Sequence, residues 1–391
     1  MTHAAHERLH HLDALRAFAM LLGVALHAAM SFTQIGWPVE DAEAGGGAIV
    51  AVTAIHGFRM QLFFLLSGYF SMALLRHRGV RGFVRNRVQR IALPLALSCA
   101  TVLPVTWIAI AWASDGRSPG DILERIAELP AVIRWMVFPL LSHLWFLWFL
   151  CWMAPALVAA VAVARRMPRL RPPHALVRTP LCLLWLVPLT AALSAPMGMW
   201  GSMPSFGADT SAGIVPMPHV LLYYGLFFGF GALAATVPGA ITGISRGWWA
   251  WLAVAAAVFL PALVLCSLAP EAERLVAAPG ARRIAALAGS ALFTWSATLG
   301  LLGAFAAFLR HERPWVRWLA DSSYWMYLAH LAPVLVLQAL LADAPLGAWA
   351  KFATILGVTV GVLLLAYAVA VRRTWVGRML NGPRPVTSPS S

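Results

Sequence analysis

The chain has 391 residues, of which 61% are hydrophobic and only 11% are charged, and its mean hydropathy is +0.76. These values exclude an ordinary soluble globular protein and indicate a membrane protein with several spans. The formal net charge of +14 does not indicate nucleic-acid binding, because the basic residues are spread over short loops and form no basic-aromatic module.

Apolar runs of about twenty residues predict an all-α bundle of about ten transmembrane helices. Most of the 29 Lys and Arg residues fall in alternate loops, and this bias predicts that both termini are cytoplasmic. We predict one transmembrane domain over 1–378 and a disordered, Pro- and Ser-rich tail over 379–391. The predicted spans lie near residues 12–35, 49–75, 91–113, 141–164, 180–200, 218–237, 248–269, 284–309, 322–342 and 349–371.

The first run, LDALRAFAMLLGVALHAAMSF, contains an arginine and a histidine, Arg16 and His27. Eleven helical residues turn through about 1100°, about 20° beyond three full turns, so both side chains share one face. A rise of about 1.5 Å per residue separates them by roughly 16 Å and puts His27 beyond the bilayer centre. Because ionisable groups are costly at that depth and an imidazole can act as a general base, we predict that His27 is catalytic.

Five other polar residues of the apolar runs are predicted to gather toward the same, outer side of the membrane: His56, Arg59, His143, His219 and His330. For His219, an interfacial or hydrogen-bonded core histidine is the favoured interpretation, and the other four are the site candidates. They are candidates for orienting an acceptor or for stabilising an oxyanion. For His143, which precedes two tryptophans in SHLWFLWFL, a place in an interfacial aromatic belt is an alternative. No two of the histidines have metal-ligand spacing on a helix and no embedded carboxylate joins them, so no metal site is predicted.

A dense run of six arginines follows the second span, from Arg76 to Arg90. This number exceeds what orientation in the membrane requires, and planar guanidinium groups suit phosphate. A cytoplasmic phosphorylated donor and anionic lipid headgroups both fit this pattern, and both interpretations stay open. We assign donor binding to Arg85, Arg87 and Arg90.

Four motifs resemble the membrane acyltransferase family 3. They are the arginine and histidine of the first span, FFLLSGY, RNRVQRIALP and the late SSYWMYLAHLAPV. Within the family, IHGFRMQLFFLLSGYFS and SHLWFL are most similar to the group that transfers succinyl groups to periplasmic glucans. The similarity extends from Leu12 to about Pro333.

The resemblance implies a multi-pass acyltransferase of the bacterial inner membrane that takes an acyl group, succinyl or acetyl, from cytoplasmic acyl-CoA. The implied acceptor is a hydroxyl of a periplasmic glucan or another envelope glycan. Acyl-CoA would be a co-substrate, and no permanently bound cofactor is implied. The family's acyl-transfer histidine and its paired arginine correspond to His27 and Arg16, so the resemblance implies that both residues are catalytic.

The residue pattern and the resemblance together predict that the donor docks at the arginine run. Its arm is expected to reach along the bundle through one continuous tunnel to His27. A transporter or flippase of an envelope metabolite is the alternative, because buried polar residues along a substrate path would look the same in the sequence.

Overall fold

A computed structural model describes most of the chain. The described residues are 10–114, 130–167, 180–197, 206–240, 246–267, 279–309 and 313–382, with the single residues 128, 177, 243 and 311.

Every regular element within the described residues is a helix, as the all-α prediction requires. Short 3-10 turns cover Met30–Phe32 and Ser142–Leu144, and π-helical turns cover Val88–Ala92 and Tyr367–Val371. The α-helices, numbered in chain order, are α1 His10–Ala29, α2 Gly46–Arg87, α3 Leu93–Ala100, α4 Val102–Ala113, α5 Ala131–Val137, α6 Trp145–Arg166, α7 Leu183–Ser194, α8 Pro218–Ala234, α9 Trp248–Ser267, α10 Pro279–Phe308, α11 Pro314–Ala329, α12 Leu331–Leu341, α13 Ala348–Ala366 and α14 Trp375–Asn381.

Six helices of the described chain are long and apolar enough to cross a membrane, or seven if the bent pair of α11 and α12 is one span. The three other predicted spans contain apolar helices of 10 to 17 residues, namely α4, α7 and α8. A multi-pass membrane protein is therefore supported, whereas the count of ten and the cytoplasmic termini stay predictions. Residues 379–381 form the end of α14, and residues 383–391 of the predicted tail lie outside the described residues.

Helix α1 lies in the middle of the bundle, in contact with α2 and with α10 to α13. Because other helices surround it, half of its residues are buried. This position explains why an arginine and a histidine are tolerated on α1, since they face protein and cavities rather than lipid.

Two glycines let α2 and α8 cross closely. A Cβ atom at Gly68 would overlap the backbone carbonyl of Phe228, and a Cβ atom at Gly231 would overlap that of Leu65. Small residues at helix crossings are a common way to bring membrane helices into close contact. The glycine of FFLLSGY therefore has a structural role, which is to hold α2 against α8.

The arginine run continues α2 as a helix that bends twice. The first bend is at Gly79, whose φ of 64° favours glycine. The second is the π-helical turn before Pro94, which has no backbone N–H to donate to the carbonyl of Arg90 four residues earlier. The hydroxyl of Tyr324 donates to that carbonyl instead, at 2.8 Å.

The pair of α11 and α12 is bent by 67° at His330. Pro333 explains the break, because a proline cannot donate to the carbonyl four residues before it and its ring crowds that group. The predicted span 322–342 is thus two helices rather than one straight helix. The bend brings His330 into the middle of the molecule, where it is buried.

Candidate functional site

One face of α1 borders two cavities. Arg16, Met20, Gly23 and His27 follow one another at intervals of four, three and four residues, which is the spacing of a single helix face. Arg16 and Met20 line a cavity at one end of the bundle, and Met20, Gly23 and His27 line a second cavity at the other end. The shared face inferred from the sequence is therefore present.

The second cavity, which we call the histidine cavity, has a volume of about 280 Å³. It is bordered by α1, α2, the turn before α6, the segment before α8 and the bend between α11 and α12. None of the described residues that line it is an aspartate or a glutamate. Five of the six residues predicted to gather on the outer side line it, namely His27, His56, Arg59, His143 and His330, whereas His219 does not.

Three histidine rings form a chain inside this cavity. The ring centroids of His27 and His330 are 5.2 Å apart, and those of His330 and His143 are also 5.2 Å apart. On its other side His27 stacks on Trp37, with 5.5 Å between ring centroids and 25° between planes. His27 and His330 are thus in contact although more than 300 residues separate them in the sequence.

Backbone hydrogen bonds set the protonation pattern of two of these rings. His143 Nε2 donates to the carbonyl of Leu328 at 2.9 Å, and His330 Nδ1 donates to the carbonyl of Tyr327 at 2.8 Å. In the neutral form, each ring then keeps its other nitrogen as an acceptor. Those nitrogens, His143 Nδ1 and His330 Nε2, have no hydrogen-bond partner among the described residues, and neither does His27 Nδ1.

The Arg59 side chain packs against α1 at Gly23, where the absence of a side chain leaves space for the guanidinium. A Cβ atom at Gly23 would lie 2.5 Å from the Arg59 guanidinium, so a side chain there would displace it. Arg59 Nε is buried and has no hydrogen-bond partner in the described part of the chain. Nearby, His56 Nε2 hydrogen bonds to the carbonyl of Ala208 at 2.8 Å, which fixes the orientation of that ring.

Gln338 holds Trp37 and His27 in place, and the sequence analysis did not select it. Trp37 Nε1 donates to Gln338 Oε1 at 2.8 Å, and Gln338 Nε2 donates to the carbonyl of His27 at 2.8 Å. Gln338 is buried in the otherwise apolar helix α12. A lone amide in such a helix is the signal that would have identified it.

The segment that carries Trp37 is held by a buried ion pair. Lys351 Nζ lies 3.0 Å from both carboxylate oxygens of Asp41, and it also donates to the carbonyl of Ala342 at 2.7 Å. Only 2% of the Lys351 side chain and 4% of the Asp41 side chain are exposed. The pair joins the segment before α2 to helix α13.

The first cavity, which we call the arginine cavity, has a volume of about 480 Å³. The predicted residues Arg16, Arg87 and Arg90 line it, together with Arg78 and His77, which the sequence analysis did not select. Its lining also includes Asp13 and Asp321.

The arginines of this cavity have different neighbours. Arg16 forms an ion pair with Asp13 at 3.4 Å, and Arg90 donates to the carbonyl of Leu380 at 2.8 Å. The guanidinium of Arg87 lies 5.3 Å from the centre of the Phe83 ring. Arg85 is exposed and does not line the cavity, so its assignment to donor binding stays a prediction.

A layer of four side chains lies between the two cavities. Met20, Phe63, Phe146 and Tyr327 line both of them. The expected tunnel between Arg16 and His27 thus corresponds to two adjacent cavities that have these four lining residues in common. We call these four residues the wall.

Metal-ligand geometry is a separate question. Within the described ranges, no group of three or more His, Cys, Asp or Glu side chains is arranged to hold a metal ion. The rings of His143 and His330 meet edge to face at 81°, and those of His27 and His330 are tilted by 39°.

Comparison with known proteins agrees with this architecture. Glucans biosynthesis protein C of Escherichia coli (strain K12) is 30% identical over 141 residues, which are 36% of this chain and 36% of that protein. The protein of the same name from Salmonella paratyphi B is 29% identical over 140 residues, 36% of this chain and 35% of that protein. The chain thus spans about a third of the length of these relatives. No solved structure matches it.

A family match covers helices α1 to α13. Residues 9–371 match the family described as "Acyltransferase domain", and this range includes every lining residue of the histidine cavity and all those of the arginine cavity except Leu380 and Asn381. This chain is therefore a member of the acyltransferase 3 family.

Proposed function

We propose that this protein is an integral membrane O-acyltransferase in which His27 is the general base. One observation carries the proposal: His27 lines a cavity rich in histidines, and this cavity shares four lining residues with an arginine-rich cavity at the opposite end. Such an arrangement suits an enzyme whose acyl donor and acceptor approach from opposite sides of a membrane.

In the proposed step, a ring nitrogen of His27 removes the proton from an acceptor hydroxyl as the oxygen attacks the thioester carbonyl. The new C–O bond forms, the C–S bond breaks, and the leaving thiolate takes the proton from the His27 imidazolium, which returns His27 to its neutral form. The carbonyl oxygen carries negative charge in between, and Arg59, whose guanidinium lies against Gly23 on this face of α1, is placed to stabilise it. His143 and His330, whose free nitrogens are acceptors, are better suited to orient the acceptor hydroxyl.

The donor is proposed to be acyl-CoA, bound in the arginine cavity. Arg16, Arg78, Arg87 and Arg90 line that cavity, and guanidinium groups bind phosphate through two parallel hydrogen bonds. Arg16, near the start of α1, is proposed to hold the donor rather than to contact the reacting carbonyl. The proposed orientation puts this end in the cytoplasm and the histidine cavity on the periplasmic side of the inner membrane.

The acceptor is proposed to be a hydroxyl of a periplasmic glucan or a related envelope glycan, with succinyl or acetyl as the acyl group. The names of the matched relatives, glucans biosynthesis protein C, support this choice. Trp37 gives further support, because an aromatic ring next to the general base can stack on a sugar ring.

The test is transfer of a radiolabelled acyl group from acyl-CoA to glucan by the purified protein in lipid nanodiscs. We expect His27→Ala to lose at least about 10²-fold in turnover, as expected for removal of a general base. His219→Ala is the matched control, because His219 is a histidine of α8 that lines neither cavity. Full turnover by His27→Ala would disprove the role of His27, and movement of unmodified solute without covalent transfer would favour a transporter.

A further inference from the structure

The four residues of the wall, Met20, Phe63, Phe146 and Tyr327, line both the histidine cavity and the arginine cavity. A group that moves from one cavity to the other therefore passes beside these side chains.

Three members of the wall are held in place by their neighbours. The rings of Phe63 and Phe146 have centroids 5.6 Å apart, and the ring of Phe146 meets that of Tyr327 edge to face at 6.0 Å. The hydroxyl of Tyr327 also donates to the carbonyl of His143 at 2.8 Å. Moving any of these rings disturbs aromatic contacts and a buried hydrogen bond.

Met20 is the wall residue that can move at little cost. Its side chain is unbranched and rotates about three bonds, so it can change shape without leaving a hydrogen bond unpaired. It lies on the same face of α1 as Arg16, one turn away, and as His27, two turns away. The side chain is only partly buried, so it already borders open space.

We propose that Met20 is a gate that closes the opening between the two cavities and limits the size of the acyl group that reaches His27. The part of this inference about the acyl group rests on the proposed function, whereas the barrier between the cavities does not. In the resting protein Met20 keeps water and solutes from crossing. During transfer, the arm of the donor displaces its thioether.

The barrier is tested by cysteine accessibility, without any assay of activity. In a protein whose Cys99, Cys151, Cys182 and Cys266 are replaced by Ser, a single cysteine is introduced by Leu26→Cys in the histidine cavity or by Ser67→Cys in the arginine cavity. A small anionic methanethiosulfonate, which does not cross lipid, is added on the side of the membrane from which Ser67→Cys reacts.

We expect Leu26→Cys to be protected from that side while Met20 is present and to react at least about tenfold faster once Met20→Ala is added. Met72→Ala is the matched control, because Met72 is a buried methionine of α2 that lines neither cavity. Equal labelling of Leu26→Cys with and without Met20→Ala would overturn the proposed gate.

The size limit is tested with acyl-CoA donors of increasing acyl length. A pocket discriminates by about 10-fold or more for each methylene that it excludes, so Met20→Ala should raise kcat/KM for a donor one carbon longer by about that factor, relative to the short donor. Met20→Ile, whose β-branched side chain is stiff, should slow transfer from every donor. An unchanged length preference in both variants would overturn the role in specificity.

The two tests separate the inference from the function on which it partly depends. If the unchanged protein transfers no acyl group but Met20→Ala opens the barrier, the gate stands and the proposed function fails. If transfer occurs but neither labelling nor length preference responds to Met20, the function stands and the gate fails.

Discussion

The two ends of the molecule are built differently, although one face of α1 serves both. In the histidine cavity, polar side chains are oriented by backbone carbonyls, by a glycine and by one glutamine, and no carboxylate lines the space among the described residues. The arginine cavity is larger and is lined by charged residues of both signs. The histidine cavity is therefore preorganised, which suits chemistry, whereas the arginine cavity offers charge, which suits binding of a charged group.

The largest effect should come from breaking the buried ion pair that holds the histidine end. Lys351→Met leaves Asp41 as an uncompensated buried charge and should lower the free energy of unfolding by about 3–5 kcal/mol. Thermal unfolding in detergent measures it. The matched control is the double variant Lys351→Met with Asp41→Leu, which removes both charges and should recover most of the loss. A thermal midpoint unaffected by Lys351→Met would show that the pair does not hold this end together.

The second-largest effect is expected at Arg59, the only arginine that lines the histidine cavity within the described chain. If its guanidinium stabilises the oxyanion, Arg59→Gln should lower kcat by about 10²–10³-fold with little change in the KM for the donor. Gly23→Ala should act in the same direction, because its Cβ would displace the same guanidinium. A change in donor KM alone would move Arg59 from catalysis to binding.

The smallest effect is expected at the arginine end. Arg87→Gln should raise the KM for acyl-CoA by about tenfold and weaken its dependence on salt, because one screened charge contact is removed. Arg81→Gln is the matched control, since Arg81 belongs to the same run but is exposed and lines neither cavity. Equal effects of the two substitutions would mean that the run acts through its net charge and not through the cavity.

The sequence alone identified those residues whose free-energy cost in lipid depends only on their own side chain. An arginine or a histidine in an apolar run must be sheltered by protein, so His27, His56, Arg59, His143 and His330 could be selected without coordinates, and the structure brings all five together. The shared face of Arg16 and His27 follows from helical periodicity alone. The predicted helices also correspond to helices of the structure, because length and hydropathy are properties of each run by itself.

The same reasoning failed where the outcome depends on packing between distant parts of the chain. The residues that the two cavities share, Met20, Phe63, Phe146 and Tyr327, could not be told apart in the sequence from other apolar residues. Span 322–342 is bent at His330 and consists of two helices.

The amino-acid sequence by itself determined that this protein is helical and apolar, and that its ionisable residues needed shelter from lipid. Only the tertiary structure decided that the sheltered residues form two separate spaces, and that Trp37 and Gln338 belong to one of them. The physical reason is that the cost of burying a charge is a property of the residue, whereas a cavity exists only where side chains from several helices fail to fill the space between them.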